Sequence, residues 1–135
     1  MNVGTRTGFR ELSLDDFQPA VMLLSRGMCD NPILIQTFGA DKKRRQRRLE
    51  RYYGLVVSMM LRKGGFLGAF RGETLLGLVG TLPPGCCQAN FVEVLRFVPT
   101  LVTYNSLVGA LRVKSWQDAW ARHDPRENHW HVGLV

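Results

Sequence analysis

The sequence predicts an α+β domain, an α/β mixture in which a mostly antiparallel sheet is flanked by helices. Three observations predict it. Two apolar runs, residues 65–71 and 73–82, flank Arg71-Gly72-Glu73-Thr74, a hairpin pattern. Leu49, Tyr52, Tyr53, Val56, Val57, Met60 and Leu61 recur at the i, i+3, i+4, i+7 spacing of an amphipathic helix. The last run, His129-Trp130-His131-Val132-Gly133-Leu134-Val135, alternates apolar with other residues and reads as a strand entering a buried sheet.

The 135 residues suffice for one domain with a modest core. Hydrophobic content of 45% and charged content of 21% are ordinary for a globular chain and exclude long-range disorder. A net charge of +7 admits an anionic partner: nucleic acid, a phosphate-bearing cofactor or an acidic surface. Charge alone does not choose among them. Cys29, Cys86 and Cys87 are odd in number and two are adjacent, a poor disulfide framework that fits a reducing compartment. The densest apolar run, Leu55 to Leu61, is too short to span a bilayer. No charged-then-apolar leader opens the chain. A cytoplasmic location and no membrane partner are expected.

Phe9 to Leu12 alternates as a first strand. Ser13 and Asp15 offer N-cap oxygens to a helix over 15–28, with Phe17, Val21, Leu24 and Met28 on one side. Asp30-Asn31-Pro32 ends it, because the residue before proline is pushed out of the helical region. A short helical piece from Pro32 to Phe38 closes at Gly39. Asp41 then caps the long helix, which ends at Gly64-Gly65. Its first half carries the run Lys42 to Arg48, cations that oppose the helix dipole. The run lacks interleaved aromatics, so a solvated face is expected and nucleic acid is an unlikely partner.

Leu75 to Leu82 is apolar on both faces, which predicts a central strand. Gly77 and Gly80 within it suggest close approach by another backbone or a ligand. Residues 86–110, interrupted by Pro99 and Gly109, predict one or two short helices. Ala110 to Arg122 predicts a better one, with Val113, Trp116 and Trp120 as core. Asp124-Pro125 breaks it before the last strand.

In this order of elements the chain resembles the GCN5-related N-acetyltransferase (GNAT) superfamily. The resemblance rests on Phe9–Leu12, the helix pair at 15–28 and 41–62, the hairpin 65–82, and above all residues 128–135, which look like the start of the family's fourth strand. It covers nearly the whole chain. In that family the fourth strand leads into a Q/R-x-x-G-x-G/A loop whose backbone N–H groups cradle the pyrophosphate of acetyl-CoA. No such run occurs in this sequence; Arg62-Lys63-Gly64-Gly65-Phe66-Leu67 is nearest, but it leads from helix into strand. The expectation is therefore a partial GNAT-like domain, its acceptor-binding N-terminal half, inactive by itself.

The resemblance implies acetyl-CoA as co-substrate and a small-molecule or peptide amine as acceptor. It implies cofactor contact through the backbone of Gly133, Leu134 and Val135. The acceptor side would be lined near Asn31 and along residues 83–95, including Glu93. Candidates for a general base are Glu93, His129 and His131, the histidines because imidazole titrates near the working pH. A metal site built from these histidines with Cys86 and Cys87 is not expected, because adjacent cysteines lack C-x-x-C spacing. The unfinished strand 129–135 is expected to self-associate. The rival expectation is a non-catalytic module that uses its basic helix on nucleic acid or another acidic partner.

Overall fold

The computed structural model describes residues 6–86 and 90–133. Strand β1 (Thr7–Glu11) is followed by a 3-10 turn (Leu14–Asp16) and helices α1 (Phe17–Gly27), α2 (Pro32–Phe38) and α3 (Lys42–Lys63). Strands β2 (Gly65–Arg71) and β3 (Thr74–Leu82), helix α4 (Phe91–His123) and strand β4 (His131–Gly133) complete it. The four strands form one antiparallel sheet in the order β1-β2-β3-β4. The α+β class and the hairpin of the sequence reading are what the fold shows. β4 lies beside β3, with Gly80 opposite Gly133 and Leu82 opposite His131.

The hairpin turns as its glycine dictates. Gly72 sits at φ 61 directly after Arg71, the left-handed first position of a two-residue turn whose twist matches the strands. Along β3 the alternation is broken once: Ala69 pairs Gly77 but Phe70 pairs Leu75, so Leu76 is an extra residue. That bulge accounts for an apolar run longer than one buried face needs.

Phe66, Gly68 and Phe70 of β2 share the buried face with Leu78, Gly80 and Leu82 of β3. Rings are matched with glycines across the ladder, Phe66 opposite Gly80. A Cβ on Gly80 would come within 2.5 Å of Met60 Cε and 2.8 Å of the Phe66 ring. Its close neighbours are thus core side chains, with the Gly133 carbonyl next at 3.2 Å. Gly77 faces open space. Helices α1 and α3 cover this face through Ala20, Val21, Leu24, Leu49, Tyr53, Val57 and Met60. The opposite face carries exposed Phe9 and Leu67.

Ser13 is the N-cap of the first helical turn, as expected, and Asp16 rather than Asp15 closes the box: its carboxylate accepts from the Ser13 N–H at 2.8 Å and from Arg10 at 2.6 and 2.9 Å. Helix α4 runs from Phe91 straight through Pro99 and breaks at Ser106, φ 76 and ψ 161. α4 is thus two helical segments meeting at Ser106, a few residues before the expected second start at Ala110. The break turns Asn105 inward, where its amide donates to the Thr37 carbonyl at 3.2 Å. A Cβ on Gly109 would collide with that amide, so glycine leaves it room. Val113 is buried and Trp116 half-buried against Tyr52, but Trp120 is 63% exposed, leaning edge-on against Trp116. Trp120 is not core.

Candidate functional site

The basic run of α3 divides into two kinds of residue. Arg45 is 4% exposed and enclosed by backbone oxygens. Its Nε donates to the Cys29 carbonyl at 2.6 Å, and Nη1 to the Gly39 and Ala40 carbonyls at 2.8 and 2.9 Å. Nη2 reaches Asp30 at 3.2 Å. Arg48 donates to the Phe38 carbonyl at 2.8 Å. These are the frayed carbonyls at the C-terminal ends of α1 and α2, where positive charge is favoured. The expected solvated face is corrected here: Arg45 is a buried clamp, and its position in a run of cations hides that. Arg44, Arg47, Arg48 and Arg51 line a shallow depression of about 200 Å³ on the outer side. Lys42 pairs with Asp30, and that hydrogen bond holds the Asp30 carboxyl below its ordinary range.

Glu93, a base candidate, stands at a helix start. It is the third residue of α4, 6% exposed, and closes a reciprocal capping box. Its N–H donates to Asn90 Oδ1 at 2.9 Å while its Oε2 accepts from the Asn90 N–H at 2.8 Å. Lys63 Nζ adds an ion pair at 2.7 Å. Asn31 caps α2, its Oδ1 accepting from the Ile33 N–H at 3.0 Å. Asn31 lies next to Asp30, which meets Arg45, whereas Glu93 meets Lys63. Those two positions on α3 are 63 − 45 = 18 residues apart, roughly 27 Å at 1.5 Å per residue. Asn31 and Glu93 thus lie toward opposite ends of α3.

Glu93 does lie at the end of the sheet where β4 joins. Lys63 precedes Gly64, and a Cβ on Gly64 would run into the Thr81 carbonyl. Thr81 in turn pairs with Val132 of β4. Among the described residues, β4 pairs only with β3, and Gly133 is the last of its ladder positions. Leu134, Val135 and Cys87 lie outside the described residues.

The histidines gather with a partner that sequence spacing concealed. His129 Nδ1 is 2.7 Å from the Glu127 carbonyl, and its Nε2 is 3.6 Å from Asp124 Oδ1. A donor atom of His131 joins these, so that all three groups offer atoms within 4.8 Å of one another. Tyr52 and Tyr53 belong to the core; burial pushes the Tyr52 phenol up to about 12 and raises that of Tyr53 as well. No described helix is long and apolar enough to cross a membrane. No protein-family model and no curated protein matches the chain.

Proposed function

We propose that these residues form the acceptor-side part of an acetyl-CoA-dependent N-acetyltransferase domain of the GNAT type. The observation that supports it most is topological. One strand, a set of helices, a hairpin, the helical element α4 and a fourth antiparallel strand at the sheet edge follow in the order on which the resemblance rests. In that reading the β4 backbone at Gly133 contacts the pantetheine arm. The amine attacks the thioester carbonyl directly, and backbone N–H groups of the strand stabilise the tetrahedral oxyanion. Glu93, His129 and His131 all lie near the β3–β4 end or on β4, where a base for the amine is needed. Of these, Glu93 is committed to its cap and to Lys63. The histidines are the better bases.

Acetyl-CoA carries most of its charge on phosphates, and the sequence holds no pyrophosphate loop. Without several charge-assisted hydrogen bonds of roughly 1.5–3 kcal/mol each, affinity falls by about three orders of magnitude or more. Calorimetric titration of acetyl-CoA into the 135-residue protein should give dissociation near roughly millimolar and no thiol release with a panel of amines. A longer chain that continues through a glycine-rich loop should gain both. Micromolar binding that survives raised salt, or thiol release by these residues alone, would put the cofactor site elsewhere.

A second reading, a binding module for an acidic partner, is favoured by the arginine-lined depression on α3. It requires anion binding that falls steeply with salt and is lost in Arg44→Ala/Arg47→Ala.

A further inference from the structure

We propose that Asp124, His129 and His131 form a site for a divalent transition metal, Zn²⁺ fitting best, at the joint between α4 and β4. Here His129 and His131 serve as metal ligands and not as the base of the acetyl-transfer reading. Asp124 is the first residue beyond α4, and His131 opens β4. The short link between them folds His129 back toward the carboxylate.

Four features carry the proposal. The first is distance. Zn²⁺ holds nitrogen and oxygen ligands about 2.0–2.1 Å away, which puts neighbouring ligand atoms of a tetrahedron about 3.3–3.4 Å apart. His129 Nε2 and Asp124 Oδ1 stand 3.6 Å apart, and the whole set lies within 4.8 Å, so small side-chain rotations close the site.

The second is the state of His129. A carbonyl oxygen only accepts, so Nδ1, 2.7 Å from the Glu127 oxygen, carries the hydrogen. In that tautomer the lone pair is on Nε2. That atom is buried and has no hydrogen-bond partner among the described residues. A lone pair facing a carboxylate oxygen across 3.6 Å is an uncompensated pair of acceptors, which a cation between them resolves. The third is that an imidazole backed by a carbonyl on its other nitrogen is the arrangement by which proteins orient metal-binding histidines.

The fourth is donor chemistry. Two imidazoles and one carboxylate suit Zn²⁺ and its neighbours, not the all-oxygen preference of Mg²⁺ or Ca²⁺. Three protein ligands leave a fourth position for water. The bound ion ties the C-terminal end of α4 to the edge strand. The competing account is a plain His129–Asp124 ion pair, which gives His131 no part.

The test is a titration of the reduced, chelator-stripped 135-residue protein with Zn²⁺ against a chromophoric chelator, and with Co²⁺ followed by visible absorption. One equivalent should bind with a micromolar or tighter dissociation constant. Co²⁺ should show the intense bands of a tetrahedral site without a thiolate charge-transfer band. His131→Gln and Asp124→Asn should each lose at least tenfold in affinity. Zn²⁺ should raise the melting temperature of the parent but not of His131→Gln. Cys86→Ser/Cys87→Ser should bind as the parent does. Should His131→Gln not fold, the histidine Cε1–H resonances of the parent decide: Zn²⁺ must shift those of His129 and His131 and leave that of His123. Absence of one-equivalent binding, indifference to His131→Gln, or loss of binding in the cysteine variant overturns the site.

Discussion

Arg45 shows how much of this fold turns on one side chain. It gathers the carbonyls of Cys29, Gly39 and Ala40 onto one guanidinium, which only a planar fork can do. Arg45→Ala strands the buried Cys29 carbonyl and the part-buried Gly39 and Ala40 carbonyls, a buried acceptor costing about 1–3 kcal/mol. A loss of about 3 kcal/mol or more is expected in urea unfolding, against less than about 0.5 kcal/mol for exposed Arg47→Ala. Equal effects would show that the clamp is ornamental. Asp16 makes a second prediction. Hydrogen bonds from Arg10, then from the Ser13 backbone, hold its carboxyl well below the usual carboxylate range. A depressed folded value means stability that is present above the unfolded value of about 3.9 and lost as pH falls through the folded one. Asp16→Asn should therefore lower stability at pH 7 and flatten its decline between about pH 4 and 2. Asp30 and Asp41 are also lowered, so the slope should shrink rather than vanish. An unchanged slope would contradict the assignment.

At the scale of elements, the break in α4 is the informative feature. Ser106 adopts φ 76 and ψ 161, a region nearly reserved for glycine and costing other residues about 1–3 kcal/mol. Its hydroxyl in return accepts from the Gly109 N–H at 3.3 Å and caps the second segment. Glycine at such a cap loses only a few tenths of a kcal/mol, so Ser106→Gly should stabilise by about 1 kcal/mol. Ser106→Ala, which keeps the strain and drops the cap, should destabilise by about 1 kcal/mol. Thermal melts of both variants check this, and a destabilised Ser106→Gly would sink it. The contrast with the hairpin explains what the sequence could convey. Strand and helix periods are local, so β2, β3, α2 and α3 are legible within a residue or two. The α4 break is not, because the contact beside it, Asn105 to Thr37, joins residues far apart in sequence. Asp124 was hidden for the same reason: it reads as a helix stop, and only the fold brings it to His129. Arg45 reads as a solvent-facing charge because one sequence does not display which carbonyls surround it.

For the whole molecule, the proposed acetyl-transfer reading puts an acyl-CoA arm along the β3–β4 side of the sheet. The basic end of α3 is the place where any polyanion would gather. Asn31 and Arg45 lie at that end of α3, away from Lys63 and Glu93. The two accounts of function therefore predict signals in different regions of one protein. The direct test is an NMR titration of the isotope-labelled 135-residue protein with acetyl-CoA, read at backbone amides in moderate salt. The acetyl-transfer account predicts shifts concentrated at residues 80–82 and 131–133, saturating near millimolar and reproduced by a pantetheine fragment that lacks phosphates. Shifts confined to Arg44, Arg47 and Arg51, abolished by salt and absent with the fragment, would contradict it.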